Sequence, residues 1–344
     1  MGYLENLIND VEKTHTNLGN LVAMCQVIAK ARKMMLIVSP SGCGKSTAMQ
    51  FIFENTANAW KPDRLSISAI GSQVDKLTSF RSVIICDDFA TTSSDYARKV
   101  TMTLLSSLVY THRVESVMFG SEYVIEDFRG SAIIGIQPIL LRNLMLLDEW
   151  DASIQDKALR YYHLYRPLNP NLSLPQVKLE KGIDIESVKD FIPSENKLWK
   201  KLVDLGDSQW SRARVKEHLI DLLKAIASLE QRKEVENSDY ELLLNLLKPM
   251  AIEHIIIEKE QLEGERYLDN NLLALLTEYY SYNGKFSLAQ ISLDFKLKLT
   301  QTYDIMKKQN GNWQQISKSP TVFIPSDKLT IMLKKLSLEA RGEK

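Results

Sequence analysis

The stretch MMLIVSPSGCGKSTAMQFIF, Met34 to Phe53, decides the fold. Its first part, KMMLIVS, is a continuous apolar run, as expected for a strand buried on both faces. A short loop of small residues follows, and then a helix in GKSTAMQFIFENTANA. The loop SGCGKST has the parts of a phosphate cradle. Gly42 and Gly44 let consecutive backbone N–H groups converge on phosphates. Lys45 can reach the β- and γ-phosphates, and the Ser46 hydroxyl suits Mg²⁺. The start of the helix adds its favourable field for anions. The cradle is expected to run through Ser39, Pro40, Ser41, Gly42, Cys43, Gly44, Lys45, Ser46 and Thr47. Ser39 stands where the pattern places its first glycine. That position mainly needs a small residue, so a less ideal loop is expected rather than a lost one.

About 40 residues on, SVIICDD ends an apolar strand in two acids. Asp87 is expected to hold Mg²⁺ beside Ser46, and Asp88 to orient or deprotonate an attacking water. Aspartate is one methylene shorter than glutamate, so the water must sit closer or turnover is slow. The alternative is that the pair caps the next helix. A further strand, SAIIGIQP, ends in Gln137, placed to touch the γ-phosphate or the water, or else a plain polar strand end.

The rest of the first half alternates in the same way. Residues 3–33 read as two helices, RLSISAI as a short strand, SQVDKLTSF as a helix and 93–109 as a long helix. VESVMFGSEYVIEDF reads as a hairpin turning at Gly120–Ser121, and ALRYYHLYRP as the last strand. Such alternation implies an α/β fold with a parallel sheet covered by helices. Residues 168–195 read as linker, and 196–262 as almost wholly helical. Three short helices and two strands in WQQISKSPTVFIP then suggest a winged helix over 263–344. The expected division is a phosphate-loop core over 1–170, linker and helical lid over 171–262, and the winged helix.

Composition sets bounds on partners. The chain has 344 residues, 44% apolar and 25% charged, with a formal net charge of zero. No global field draws it to nucleic acid or membrane. Three widely spaced cysteines, Cys25, Cys43 and Cys86, argue against a disulfide framework and fit a reducing cytoplasm. The five histidines show no metal-ligand spacing. No apolar run reaches the ~18 residues of a membrane span, and the N-terminus does not read as a signal peptide.

The order of phosphate loop, acidic strand, polar strand end and helical lid resembles the AAA+ ATPases over roughly residues 15–262. The lid stretch RVKEHLIDLLKAIASLEQRKEVENSD is similar to that of the minichromosome maintenance helicases, through Arg214, Glu217, Ala225, Ala227 and EVENSD. The resemblance implies ATP hydrolysis with Mg²⁺ at the interfaces of a homo-oligomer, a hexameric ring. It implies that Arg214 senses the γ-phosphate, with Arg212 as the alternative. It also implies an arginine supplied in trans to the neighbouring site. Arg160 is favoured for that role and Arg142 is the runner-up, and a surface salt bridge is open for either. Many DNA-translocating members place a pore loop where the hairpin lies, but its tip here carries no lysine or arginine. With only about 30 residues ahead of the core, an N-terminal DNA-binding domain like that of the replicative helicases is not expected in this stretch. The implied function is a DNA motor, helicase or remodeller in replication or mobile-element biology, or an initiator or loader that binds ATP with little hydrolysis.

Residues 265–344 hold twelve Lys or Arg against eight Asp or Glu, a basic balance in an otherwise neutral chain. In the segment LTQTYDIMKKQ, read as a recognition helix, Thr300, Gln301, Thr302 and Tyr303 are placed to meet bases or phosphates of DNA. Lys307, Lys308 and the wing's Lys318 suit phosphates. A protein partner is the alternative for this unit.

Overall fold

The computed structural model describes residues 2–39, 41–63, 65–87, 89, 94–118, 121–145, 150, 154–163, 173–207, 209–252, 285–289, 292, 298–308 and 313–327. Two helices open the chain, α1 (Tyr3–Thr14) and α2 (Gly19–Ala31). They lead into β1 (Met34–Val38), buried throughout. Then come α3 (Lys45–Asn55), two short helices α4 (Ile67–Gly71) and α5 (Val74–Leu77), and β2 (Val83–Cys86). Helix α6 (Asp95–Thr111) precedes a hairpin of β3 (Val114–Met118) and β4 (Ser121–Ile125). Strand β5 (Ser131–Ile136), helix α7 (Pro138–Met145) and strand β6 (Ala158–Tyr162) complete this layer.

Among the described residues the main sheet is parallel, in the order β2-β5-β1-β6. Its strands alternate between two apolar cores, because side chains of a strand point to opposite faces in turn. Met34, Leu36 and Val38 enter the core with Ile84, Ile134 and Phe89. Met35 and Ile37 enter the other, with α1, α2 and the inner face of α3. This is the fold of helices on both faces of a parallel sheet that the apolar runs imply.

Three later helices, α8 (Trp199–Gly206), α9 (Arg212–Leu229) and α10 (Asn237–Leu247), share that second core. Leu219, Leu222, Leu223 and Ile226 of α9 recur at three and four and are buried. The Glu230 carboxylate, just past α9, accepts from the N–H groups of Tyr3 and Leu4 at 2.6 and 2.8 Å. It satisfies two of the open donors at the start of α1.

One expected strand is corrected. RLSISAI does not join the sheet; its second half is α4. The Ser66 hydroxyl accepts from the Ala69 N–H at 3.1 Å, a helix cap that outweighs the strand preference of two isoleucines. Among the described residues, the sheet continues beside β2 as a single parallel bridge from Trp60 to Ile84.

Near the C-terminus, a two-residue strand β7 (Phe286–Ser287) and a helix α11 (Leu299–Lys308) precede β8 (Trp313–Lys318) and β9 (Thr321–Pro325). These strands form an antiparallel sheet in the order β7-β9-β8. No described helix is long and apolar enough to cross a membrane.

Candidate functional site

The ends of β1, β5 and β2 meet at one edge of the sheet. Val38 pairs with Ile136 of β5, and Cys86 of β2 with Ile134. Ser39, Gln137 and Asp87, which follow these strands, therefore share this edge. Ser39 is buried, and its N–H continues the ladder by donating to the Ile136 carbonyl at 3.0 Å. It does not take the left-handed conformation; Gly42 and Gly44 do, at φ 83° and 82°. The two glycines sit where glycine is needed, and serine sits where it is not.

Gly44 caps α3, and Lys45 opens it. Only 8% of Lys45 is exposed. Its side chain runs back across β5. A Cβ added at Gly135 would lie 3.0 Å from Lys45 Cδ and 2.3 Å from the Asp87 carbonyl oxygen. The missing side chain near the end of β5 thus leaves room for the Lys45 side chain and the Asp87 main-chain carbonyl to come close to this strand. Asp87 Oδ2 lies 3.6 Å from Lys61 Nζ. Its Oδ1 is buried with no hydrogen-bond partner among the described residues. An orphaned carboxylate oxygen at the sheet edge that also carries the phosphate loop suits a hard cation. Ser46 and Asp87 are the residues that would hold Mg²⁺, which usually keeps several waters and takes one or two protein oxygens plus phosphates. The described residues contain no group of three or more His, Cys, Asp or Glu that could hold a metal.

Gln137 is half-buried and caps α7: its carbonyl accepts from the N–H groups of Leu140 and Leu141, each at 3.0 Å. Pro138 then takes the first helical position, where its missing N–H is no loss. Arg142 lies on α7, the helix that leaves this same edge. Pro40 and Asp88 lie outside the described residues.

Sequence reasoning missed His163. It follows β6, and its N–H donates to the Val38 carbonyl at 2.9 Å. Its Nε2 meets the Cys43 carbonyl at 2.7 Å. A carbonyl can only accept, so Nε2 carries the proton. Burial pushes the His163 pKa down to about 4, so the ring is neutral at pH 7. One residue thus ties the edge strand to the middle of the phosphate loop. The only sequence signal was a histidine directly after a buried strand.

Two expected site residues are placed elsewhere. Arg160 is fully buried in the middle of β6. The Gln209 side-chain amide pairs with its backbone in both directions, accepting from its N–H at 2.7 Å and donating to its carbonyl at 2.8 Å. This closes the open side of an edge strand. The guanidinium donates to the carbonyls of Gln155 at 2.8 Å and Gln209 at 3.1 Å, and lies 5.7 Å from the Trp150 ring. So placed, Arg160 is not offered to a neighbouring subunit.

Arg214 lies near the opposite edge of the sheet. It donates to Glu217 at 2.8 Å and lies 4.0 Å from Asp156, two residues before β6 begins. Asp156 also accepts from the Ser211 hydroxyl at 3.0 Å. The same cluster joins Lys33, just before β1, to Asp221 at 2.5 Å. At ~3.3 Å per residue, the length of β1 puts roughly 13 Å between that edge and the loop. Arg214 is therefore a partner of Asp156 and Glu217, at the far end of β1 from the phosphate loop of its own chain. Arg212 also starts α9, from the same edge.

In the C-terminal unit, Thr300, Tyr303 and Lys307 are exposed and follow at three and four along α11, on one face. Tyr303 is 48% exposed. Gln301 and Lys308 lie on the same helix, and Lys318 is exposed on β8. Thr302 is corrected: it is buried, with its hydroxyl bonded to the Lys298 carbonyl at 3.2 Å.

No protein-family model matches the chain, and a comparison with curated proteins finds no match.

Proposed function

We propose that the chain binds magnesium ATP at the phosphate loop and hydrolyses it, acting as an oligomeric motor or remodeller on DNA. The observation that carries this reading is the approach of the Lys45 side chain and the Asp87 main-chain carbonyl to Gly135, with Asp87 Oδ1 buried and unpartnered among the described residues at the same strand ends. A lysine side chain and an acid-bearing strand end that share this edge with a glycine-rich helix start suit a nucleoside triphosphate and its cation. In a ring of the AAA+ kind, Arg142 replaces Arg160 as the arginine supplied to the neighbouring site, because α7 leaves the same edge as the loop. The exposed face of Thr300, Tyr303 and Lys307, with Lys318, supports contact with DNA, lysines on phosphates and tyrosine on bases.

A second reading has its own support. Arg160 and Arg214 are both engaged by the fold, which favours an ATP-dependent DNA-binding switch, an initiator or loader with little hydrolysis. Steady-state ATP hydrolysis with and without single- and double-stranded DNA, read together with oligomer size, separates the two. The motor reading expects DNA-stimulated turnover, its loss in Lys45→Ala, and its loss in Arg142→Ala with nucleotide affinity kept. ATP-dependent assembly with negligible turnover supports the switch. Normal turnover by Lys45→Ala overturns both.

A further inference from the structure

Lys61 stands beside the candidate site without a part in the reading above. It follows Trp60, whose bridge to Ile84 fixes this segment against β2. The ammonium lies 3.6 Å from Asp87 Oδ2, and the Gln50 amide oxygen accepts a short hydrogen bond from it. Gln50 is one turn beyond Ser46 on α3, so the two lie on one face of that helix. The Gln50 amide group in turn donates to Glu54 at 2.7 Å, which leaves its oxygen turned to Lys61. The lysine is therefore held on the Ser46 face of α3 and against the carboxylate that would bind the cation. Both side chains are mostly covered, at 21% and 28% exposure, so solvent screens the pair only in part.

We infer that Lys61 is a tethered competitor of the divalent cation at Asp87, and that it sets how much Mg²⁺ the nucleotide site requires. This rests on the magnesium-nucleotide reading proposed above. A single positive charge satisfies one carboxylate oxygen and repels a second cation at the same group. Removing that charge then strengthens divalent binding, whereas removing a merely structural contact weakens it or leaves it unchanged. The opposite signs make the inference testable.

The measurement is Mn²⁺ affinity, read from the electron-paramagnetic-resonance signal of free Mn²⁺, with protein in excess over an ATP analogue whose β–γ bridge is nitrogen. Lys61→Met is expected to bind Mn²⁺ about fivefold more tightly than the unmodified protein, the scale of a partly exposed ion pair. Lys61→Arg keeps the charge and is expected to stay within about twofold. Gln50→Ala leaves the charge but releases it from α3, and is expected to tighten Mn²⁺ by about twofold even where Lys61→Met fails to fold. Unchanged or weaker Mn²⁺ binding in Lys61→Met overturns the inference while the nucleotide reading stands. Failure of the unmodified, folded protein to bind the analogue with Mn²⁺ overturns the nucleotide reading, and the inference with it.

Discussion

Gly135→Ala is the sharpest perturbation of the site, because one methyl group tests the sheet and the cradle together. The new Cβ would meet the Asp87 carbonyl oxygen at 2.3 Å and Lys45 Cδ at 3.0 Å. A carbon and a carbonyl oxygen rest at roughly 3.3 Å, so about 1 Å must be found. The Lys45 side chain can give a few tenths of that. The Asp87 carbonyl belongs to the backbone just past β2, which the ladder from Val83 to Cys86 holds to β5. The strain therefore falls on main chain, at the upper end of the range for an overpacked core, about 3 kcal/mol. For a core of this size that is roughly a 6–12 °C fall in melting temperature. Displacing Asp87 and Lys45 by a fraction of an ångström also misaligns the reacting groups, and turnover is expected to drop about a hundredfold. Ile133→Val is the control on the same strand. It removes one buried methyl group, costs about 1 kcal/mol, and leaves turnover nearly unchanged. Thermal denaturation and steady-state ATPase rates check both variants. A Gly135→Ala protein that melts within 1 °C of the parent and turns over within about twofold of it would refute the placement of Lys45 and Asp87 across β5.

Acid stability follows from two buried histidines. Burial lowers the pKa of both His163 and His218 to about 4, against 6.5 in the unfolded chain. The unfolded state then binds more protons between these values, so stability is present above pH 6.5 and is lost as pH falls through 4. Each residue contributes up to about 3 kcal/mol to that loss. Urea titrations at pH 7 and pH 4.5 should show a shallower loss in His163→Gln than in the parent. Arg160→Met is expected to cost about 3 kcal/mol by leaving buried carbonyls without their donor. Its remaining folded fraction should still hydrolyse ATP, whereas selective loss of turnover at unchanged stability would restore Arg160 as the arginine acting in trans. Arg214→Ala breaks a partly exposed pair worth about 0.5 kcal/mol and is expected to leave the KM for ATP within about twofold. A tenfold rise in KM would place Arg214 at the nucleotide after all.

The parallel sheet was legible because its strands are buried on both faces. Runs such as MMLIV, VIIC and SAIIGI carry that signal, and β1, β2 and β5 lie on them, while β6 interrupts its run with Arg160. The phosphate loop was legible for a related reason. Its residue types answer to backbone geometry, and Gly42 and Gly44 have the positive φ that the pattern requires. RLSISAI failed because alternation over seven residues is a weak signal, and one serine hydroxyl placed to cap a helix reverses it.

The arginines failed for a different reason. Residue type and chain order say that a cation follows the polar strand end or opens a later helix, but not which end of the sheet it reaches. That depends on how α9 docks, and α9 docks through its buried leucines on α2. Its first turn is thereby carried to the edge where β1 and β6 begin, and Arg214 finds Asp156 there. Arg160 was misplaced by the same blindness to partners. In the sequence it stands between the polar strand end and the last strand, where the resemblance implies an arginine acting in trans. In the fold, Gln209, nearly fifty residues on, supplies both the amide that closes the strand edge and a carbonyl for the guanidinium. A buried arginine met mainly by carbonyls can hold a loop to a sheet, and the stretch ALRYY alone cannot distinguish that from an arginine aimed at a neighbour. The remaining site candidates, Lys45, Ser46, Asp87, Gln137 and Arg142, follow β1, β2 or β5 within eight residues. Short connections leave little freedom in where a side chain ends up, and the reach of inference from sequence to site here is the length of those connections.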